Sequence, residues 1–143
     1  MHEQFDLVLV LGVLYHLRYP LLGLEIVADK ARKLLALQTL TAPGNEVVQP
    51  PADLSFDERS VLAEPGWPRL AFIEHSFAGD PTNWWVPNRA CVEAMLRAVG
   101  LDVVGRPGDE LYVCEVPPGR RRSDQFAALL GAFSGSSGTD RRR

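Results

Sequence analysis

"FDLVLVLGVLYHL", Phe5 to Leu17, is the stretch that decides the fold of this 143-residue chain. Between Phe5 and Gly12 only Asp6 is neither apolar nor glycine. A strand with one wet face alternates polar and apolar residues, whereas a strand covered on both faces reads as an unbroken apolar run. Strands of the second kind occupy the middle of parallel sheets and have a neighbour on each side. The residues before Phe5 are too few to supply one, so the chain is expected to open on a central strand that lacks a partner.

Downstream, "VLYHLRYP" turns this strand towards a helix, with Pro20 suited to a first helical turn, where its missing N–H costs nothing. Leu21, Leu24, Val27 and Ala28 recur at helical spacing, and Glu25, Asp29 and Lys30 fall off that stripe. "KLLALQTLT", Lys33 to Thr41, reads as a second strand. Strand, helix, strand over this length is a βαβ unit, which predicts parallel strands and a right-handed crossover. Residues 42–87 are rich in proline and irregular, with a short strand expected around Leu70–Glu74. Asn88 is a good N-cap for a helix over Arg89 to Val99, closed by Gly100. "LDVVG" and "LYVCEV" then form a hairpin across "RPGDE". The order β-α-β, long loop, α, β-hairpin predicts an α/β fold whose sheet is mostly parallel and ends on an antiparallel element.

The charge is unevenly spread. From Arg120 onward six arginines face two aspartates, a net +4, so residues 1–119, with nine basic and sixteen acidic groups, carry −7. Residues 1–119 are therefore read as the folded part and 120–143 as a basic, disordered tail with a short helix at Gln125–Leu130. An RNA contact by that tail is the weaker alternative. No uncharged apolar run is long enough to cross a bilayer, and no signal peptide is recognisable. Cys91 and Cys114 form neither a metal-ligand pattern nor a disulfide framework, so they are expected as buried small apolar residues in a cytoplasmic protein.

The words themselves carry a resemblance. "FDLVLVLGVLYHLRYPLLGLE" resembles the fourth strand and following helix of class I S-adenosylmethionine-dependent methyltransferases. "GVLYH" is similar to the branch containing the tRNA wobble-uridine carboxymethyltransferase and its relatives, and "AGDPTNWWVPNRACVEAMLRAVGLDVV" resembles a later part of that branch. The resemblance spans about residues 5–116. It implies a Rossmann-like sheet of order 3-2-1-4-5-7-6, of which this chain holds the equivalents of strands 4, 5, 7 and 6. Strands 1–3, the glycine-rich turn and the ribose-binding acid are missing from it, so Met1 is read as an internal start or a gene-model artefact. It further implies S-adenosylmethionine, or its carboxylated derivative, as cofactor, and a tRNA or small-molecule substrate.

On that resemblance Leu11, Gly12 and Tyr15, at the C-terminal end of the first strand, line the cofactor pocket, the end where open α/β sheets bind ligands. His16 is the candidate general base, with a structural hydrogen bond as the equal alternative. Arg18, His75, Asn83, Trp84 and Trp85 are the substrate-side candidates; the tryptophans offer stacking faces, against the alternatives of a solvated arginine and a tryptophan roofing the core. His16, His75 and Glu74 lack the spacing of a metal site. The expected activity is methyl transfer, and the alternative is an inactive fragment or partner-completed subunit. An unpaired apolar strand at Phe5–Gly12 predicts self-association through it.

Overall fold

The computed structural model describes residues 3–120 and 123–135. The chain forms a mixed α/β fold. Strand β1 (Phe5–Leu11) leads through a 3-10 turn (Leu14–His16) to helix α1 (Pro20–Lys30) and strand β2 (Ala31–Gln38). A second 3-10 segment (Phe56–Ala63) precedes the short strands β3 (Leu70–Phe72) and β4 (Trp85–Pro87). Helix α2 (Arg89–Ala98), strands β5 (Asp102–Gly108) and β6 (Leu111–Glu115), and helix α3 (Asp124–Gly135) complete it.

Four strands form one sheet in the order β1-β2-β6-β5. β1 and β2 are parallel, with Leu7 opposite Leu34 and Leu11 opposite Gln38. β6 runs antiparallel to both β2 and β5. The βαβ unit and terminal hairpin are thus as the sequence predicts, with β2 beginning two residues earlier than expected. Helix α2 starts where the cap requires: the Asn88 side chain accepts from the Cys91 amide at 2.9 Å and from the Arg69 amide at 3.0 Å. Its own amide donates to the Trp67 carbonyl at 2.7 Å. One side chain therefore caps the helix and pins the long loop to it. β3 and β4 pair antiparallel as a separate small sheet. The irregular reading of residues 85–87 missed β4, because three residues that include a proline carry no alternation.

The core lies on one face of the main sheet. Val10, Leu35, Leu37, Tyr112 and Cys114 pack there against Leu24 and Ala28 of α1 and Val92 and Leu96 of α2. Cys91 and Cys114 are buried free thiols, and burial pushes each up to about 11. None of the helices described is long and apolar enough to cross a membrane.

Three expectations are corrected. The sheet is not mostly parallel: among the described strands only β1–β2 is a parallel pairing, because β6 inserts antiparallel between β2 and β5. As expected of a strand without a second partner, β1 is an edge strand among the described residues, and on its far side Phe5, Leu7, Leu9 and Leu11 are each about half exposed. On α1 the buried stripe is rotated: Glu25 and Asp29 are buried, while Leu21 is 46% exposed. The carboxylate of Glu25 tolerates this because Arg120 lies 3.9 Å from it, both side chains being 8% exposed. Arg120 also donates to the Val99 carbonyl at 2.8 Å, so it is a packed residue and not part of a solvated tail. Finally, 124–135 is helical and longer than expected, with Phe126 buried against the body. The rest of the expected tail, residues 121–122 and 136–143, lies outside the described residues.

Candidate functional site

The C-terminal ends of β1 and β2 meet at Gly12. Its φ of 68° lies in the left-handed region, and its amide donates to the Gln38 carbonyl at 3.0 Å, carrying the parallel ladder one step past β1. A Cβ at this position would lie 3.3 Å from the Tyr15 hydroxyl and 3.6 Å from Gln38 Oε1. Bare backbone therefore faces two polar side-chain ends. Gln38 Nε2 donates to Glu110 Oε2 at 3.3 Å, and the Thr41 amide donates to Glu110 Oε1 at 3.1 Å. The β5–β6 turn thus contributes an acid to the same end of the sheet. Leu11, the last residue of β1, is 54% exposed beside it.

The 3-10 turn after Gly12 presents His16. Its Nδ1 lies 2.9 Å from Thr82 Oγ1 and 3.2 Å from the Thr82 carbonyl. Thr82 Oγ1 donates to Asp80 Oδ1 at 2.7 Å, and its amide donates to the same oxygen at 2.7 Å. A hydroxyl has one proton to give, and here it goes to the carboxylate. Both Thr82 oxygens near His16 are therefore acceptors, which places the imidazole proton on Nδ1 and leaves Nε2 as the lone-pair nitrogen. These hydrogen bonds from Thr82, its hydroxyl first, hold Asp80 below the usual carboxylate range, with a smaller contribution from His16. The turn that carries Asp80 is tight. Phe77 and Asp80 exchange backbone hydrogen bonds, and Ala78 takes a φ of 54°, unusual for a residue with a Cβ.

Arg18 and the tryptophans tie this turn to the small sheet. The Arg18 guanidinium lies 4.3 Å from the Trp84 ring centroid, a cation–π geometry. The Trp84 amide donates to the Tyr15 carbonyl at 2.9 Å, and the Trp85 indole N–H donates to the Arg18 carbonyl at 3.3 Å. Trp85 also packs its ring against Phe72, centroids 5.0 Å apart.

The fold thus gathers Leu11, Gly12, Tyr15, His16, Arg18, Trp84 and Trp85 around one loop. It gives Trp85 and the Trp84 backbone positioning work, and Arg18 takes one face of the Trp84 ring. Asn83 is buried, and its amide donates to the Phe77 carbonyl at 3.0 Å, so it staples the turn beneath the site. His75 is not joined to this cluster by any hydrogen bond or ring contact described: it stands exposed beside Glu74 at 3.9 Å. Sequence reading missed Gln38, Glu110, Asp80 and Thr82. Gln38 had a usable signal, being the polar residue that ends a parallel strand. The other three are brought in by loops whose paths no local pattern encodes.

No family model matches the chain, and no curated protein matches it. Solved structures similar to it include two crystal structures of the N-terminal domain of EvdMO1. One was obtained in the presence of SAH and D-fucose: identity is 22%, coverage is 79% of this chain and 46% of that one, and the TM-score is 0.37. The other has SAH bound: identity is 21%, coverage is 79% and 45%, and the TM-score is 0.38. The chain spans less than half the length of these neighbours.

Proposed function

We propose that this chain is the later half of a Rossmann-like methyltransferase sheet and that it takes part in methyl transfer from S-adenosylmethionine. The observation that carries this is the strand order: β1-β2-β6-β5, two parallel strands followed by an antiparallel hairpin whose last strand inserts next to β2. That is the 4-5-7-6 order expected from the sequence resemblance. The residues at the C-terminal end of β1 fit part of the cofactor. Bare backbone at Gly12, the Tyr15 hydroxyl and the exposed Leu11 side chain would hold its methionine end.

When bound, the sulfonium cofactor supplies a methyl group that is already activated. The remaining work falls to positioning and proton handling. His16 is placed for the second: with its proton on Nδ1 directed at Thr82, Nε2 is free to accept a proton from a substrate nucleophile. The Asp80–Thr82 pair fixes that tautomer. Arg18, stacked on Trp84, offers a cation to the substrate side. The acceptor is a small molecule or, more narrowly, a tRNA base; the group moved is methyl in preference to carboxymethyl.

A second reading, a subunit that binds no cofactor alone, is favoured by the free edge of β1. Isothermal titration of the folded chain with S-adenosylmethionine, with Tyr15→Ala as control, separates the two. Micromolar binding that is lost in the variant supports the first. No heat from folded protein supports the second.

A further inference from the structure

A cavity of about 520 Å³ lies between α1, α2, β3 and α3. Its walls include Pro20 and Leu22 of α1, Leu70 of β3, Met95 of α2, and Phe126 and Leu129 of α3. Phe126 is buried, so α3 is anchored on the body and the chain itself supplies the walls. Two charged residues also line the cavity. One is Glu25, whose carboxylate has Arg120 at 3.9 Å, so its charge is already matched within the fold. The other is Arg18, just before α1, which forms no ion pair with a carboxylate among the described residues. Its guanidinium rests against the Trp84 ring at 4.3 Å.

We propose that this cavity binds a small molecule with an apolar body and one carboxylate, the carboxylate held by Arg18 at the end next to Trp84. The volume falls within the roughly 300–1,000 Å³ of small-molecule pockets. The lining decides the body: burial among these side chains is favourable in proportion to the apolar area removed from water. The charges decide the head. Arginine receives a carboxylate through two parallel N–H···O bonds, a geometry that a neutral head cannot use. A cationic head would meet the Arg18 charge, and the one carboxylate in the cavity wall is matched by Arg120.

Arg18 also joins the cavity to the candidate site. Its carbonyl accepts from the Trp85 indole, and the Trp84 amide donates to the Tyr15 carbonyl. The carboxylate end of the occupant therefore lies on the side of the 3-10 turn that carries His16. That the occupant is the methyl acceptor rests on the methyl-transfer reading; that the cavity binds an apolar acid does not.

Isothermal titration of the full chain with naphthoate, without cofactor, tests the proposal. Naphthamide serves as the neutral counterpart, and methyl NMR of leucine and methionine side chains locates the probe. The expected result is saturable binding of naphthoate that shifts the methyl resonances of Leu22, Met95 and Leu129 and leaves those of Leu7 and Leu9 in place. Arg18→Gln, at an exposed position, should weaken naphthoate about tenfold and leave naphthamide unchanged. Leu129→Trp, which narrows the cavity from a half-exposed position on α3, should weaken both probes. No heat from folded protein up to the solubility of the probe, equal affinity for the two probes, or shifts confined to Leu7 and Leu9 each overturns the proposal. A chain that binds naphthoate and is silent to S-adenosylmethionine would uphold the cavity and remove methyl transfer, so the two readings fail separately.

Discussion

Replacing Gly12 by alanine tests the geometry of the site directly. The residue sits at φ 68°, where an L-amino acid pays about 1–2 kcal/mol relative to glycine. The stiffer unfolded chain of the variant offsets about 0.5 kcal/mol of that. The new Cβ would stand 3.3 Å from the Tyr15 hydroxyl, a contact that forces a shift of a few tenths of an ångström and adds about 0.5 kcal/mol. The net expectation is a loss of about 1–2 kcal/mol. Urea unfolding followed by tryptophan fluorescence at fixed protein concentration should show a lower midpoint with an unchanged slope. Gly12→Val should cost more, because a β-branched residue tolerates positive φ worst. In a Tyr15→Phe background, which lacks the hydroxyl, Gly12→Ala should cost about 0.5 kcal/mol less; that difference is the contact, separated from the backbone. If Gly12→Ala were as stable as the parent, the turn at the end of β1 would not be held in the left-handed region, and the cradle beside Tyr15 and Gln38 would lose its basis.

Ala78→Gly, in the turn that carries Asp80, should stabilise the chain by about 0.5–1 kcal/mol in the same assay, because it relieves a φ of 54°. Arg120→Ala should destabilise by about 3 kcal/mol, because it strips the buried Glu25 carboxylate of its cation and the Val99 carbonyl of a donor. Adding Glu25→Met to that variant should restore much of the loss. The acid limb of the Asp80 turn follows from the sign of its shift: a carboxyl held below its ordinary 3.8 stabilises the fold above that pH, and the contribution disappears as pH falls through the lowered value. An NMR titration should therefore show the Thr82 amide resonance moving at a pH below 3.8, and Asp80→Asn should abolish that step.

Much of the architecture was legible because it rests on local chemistry with strong periodicity. The apolar run at β1, Pro20 opening α1, the Asn88 cap and the final hairpin each follow from a physical preference that a short window contains. The departures share a cause as well. Glu25 and Asp29 look like surface residues in a window of eleven and are buried; Glu25 is covered where Arg120, about ninety positions away, comes back to it. Asp80 and Thr82 look like loop filler and become partners of His16 only when the loop folds over the 3-10 turn. His75 has the right chemistry but sits exposed on a loop that leads away from β3. Residue type alone could not separate it from His16. Position just beyond a parallel strand could.

The strand that opens the chain joins both of these points. An unbroken apolar run records that both faces of β1 are unsuited to water; it does not record what covers them. Val10 is covered by the helices of this chain, and Leu9 is not. The site borders that open face. Gly12, Tyr15 and Gln38 converge at the β1 terminus, and Leu11, the register partner of Gln38, lies beside them exposed to solvent. Leu11 belongs both to the open face and to the cradle, so any body that buries Leu7 and Leu9 must pass close to it. Covering the sheet and walling the pocket are therefore linked requirements. The occupant of the open face then bears on how tightly a ligand can be held at the end of β1, because a tight site buries most of its ligand's surface.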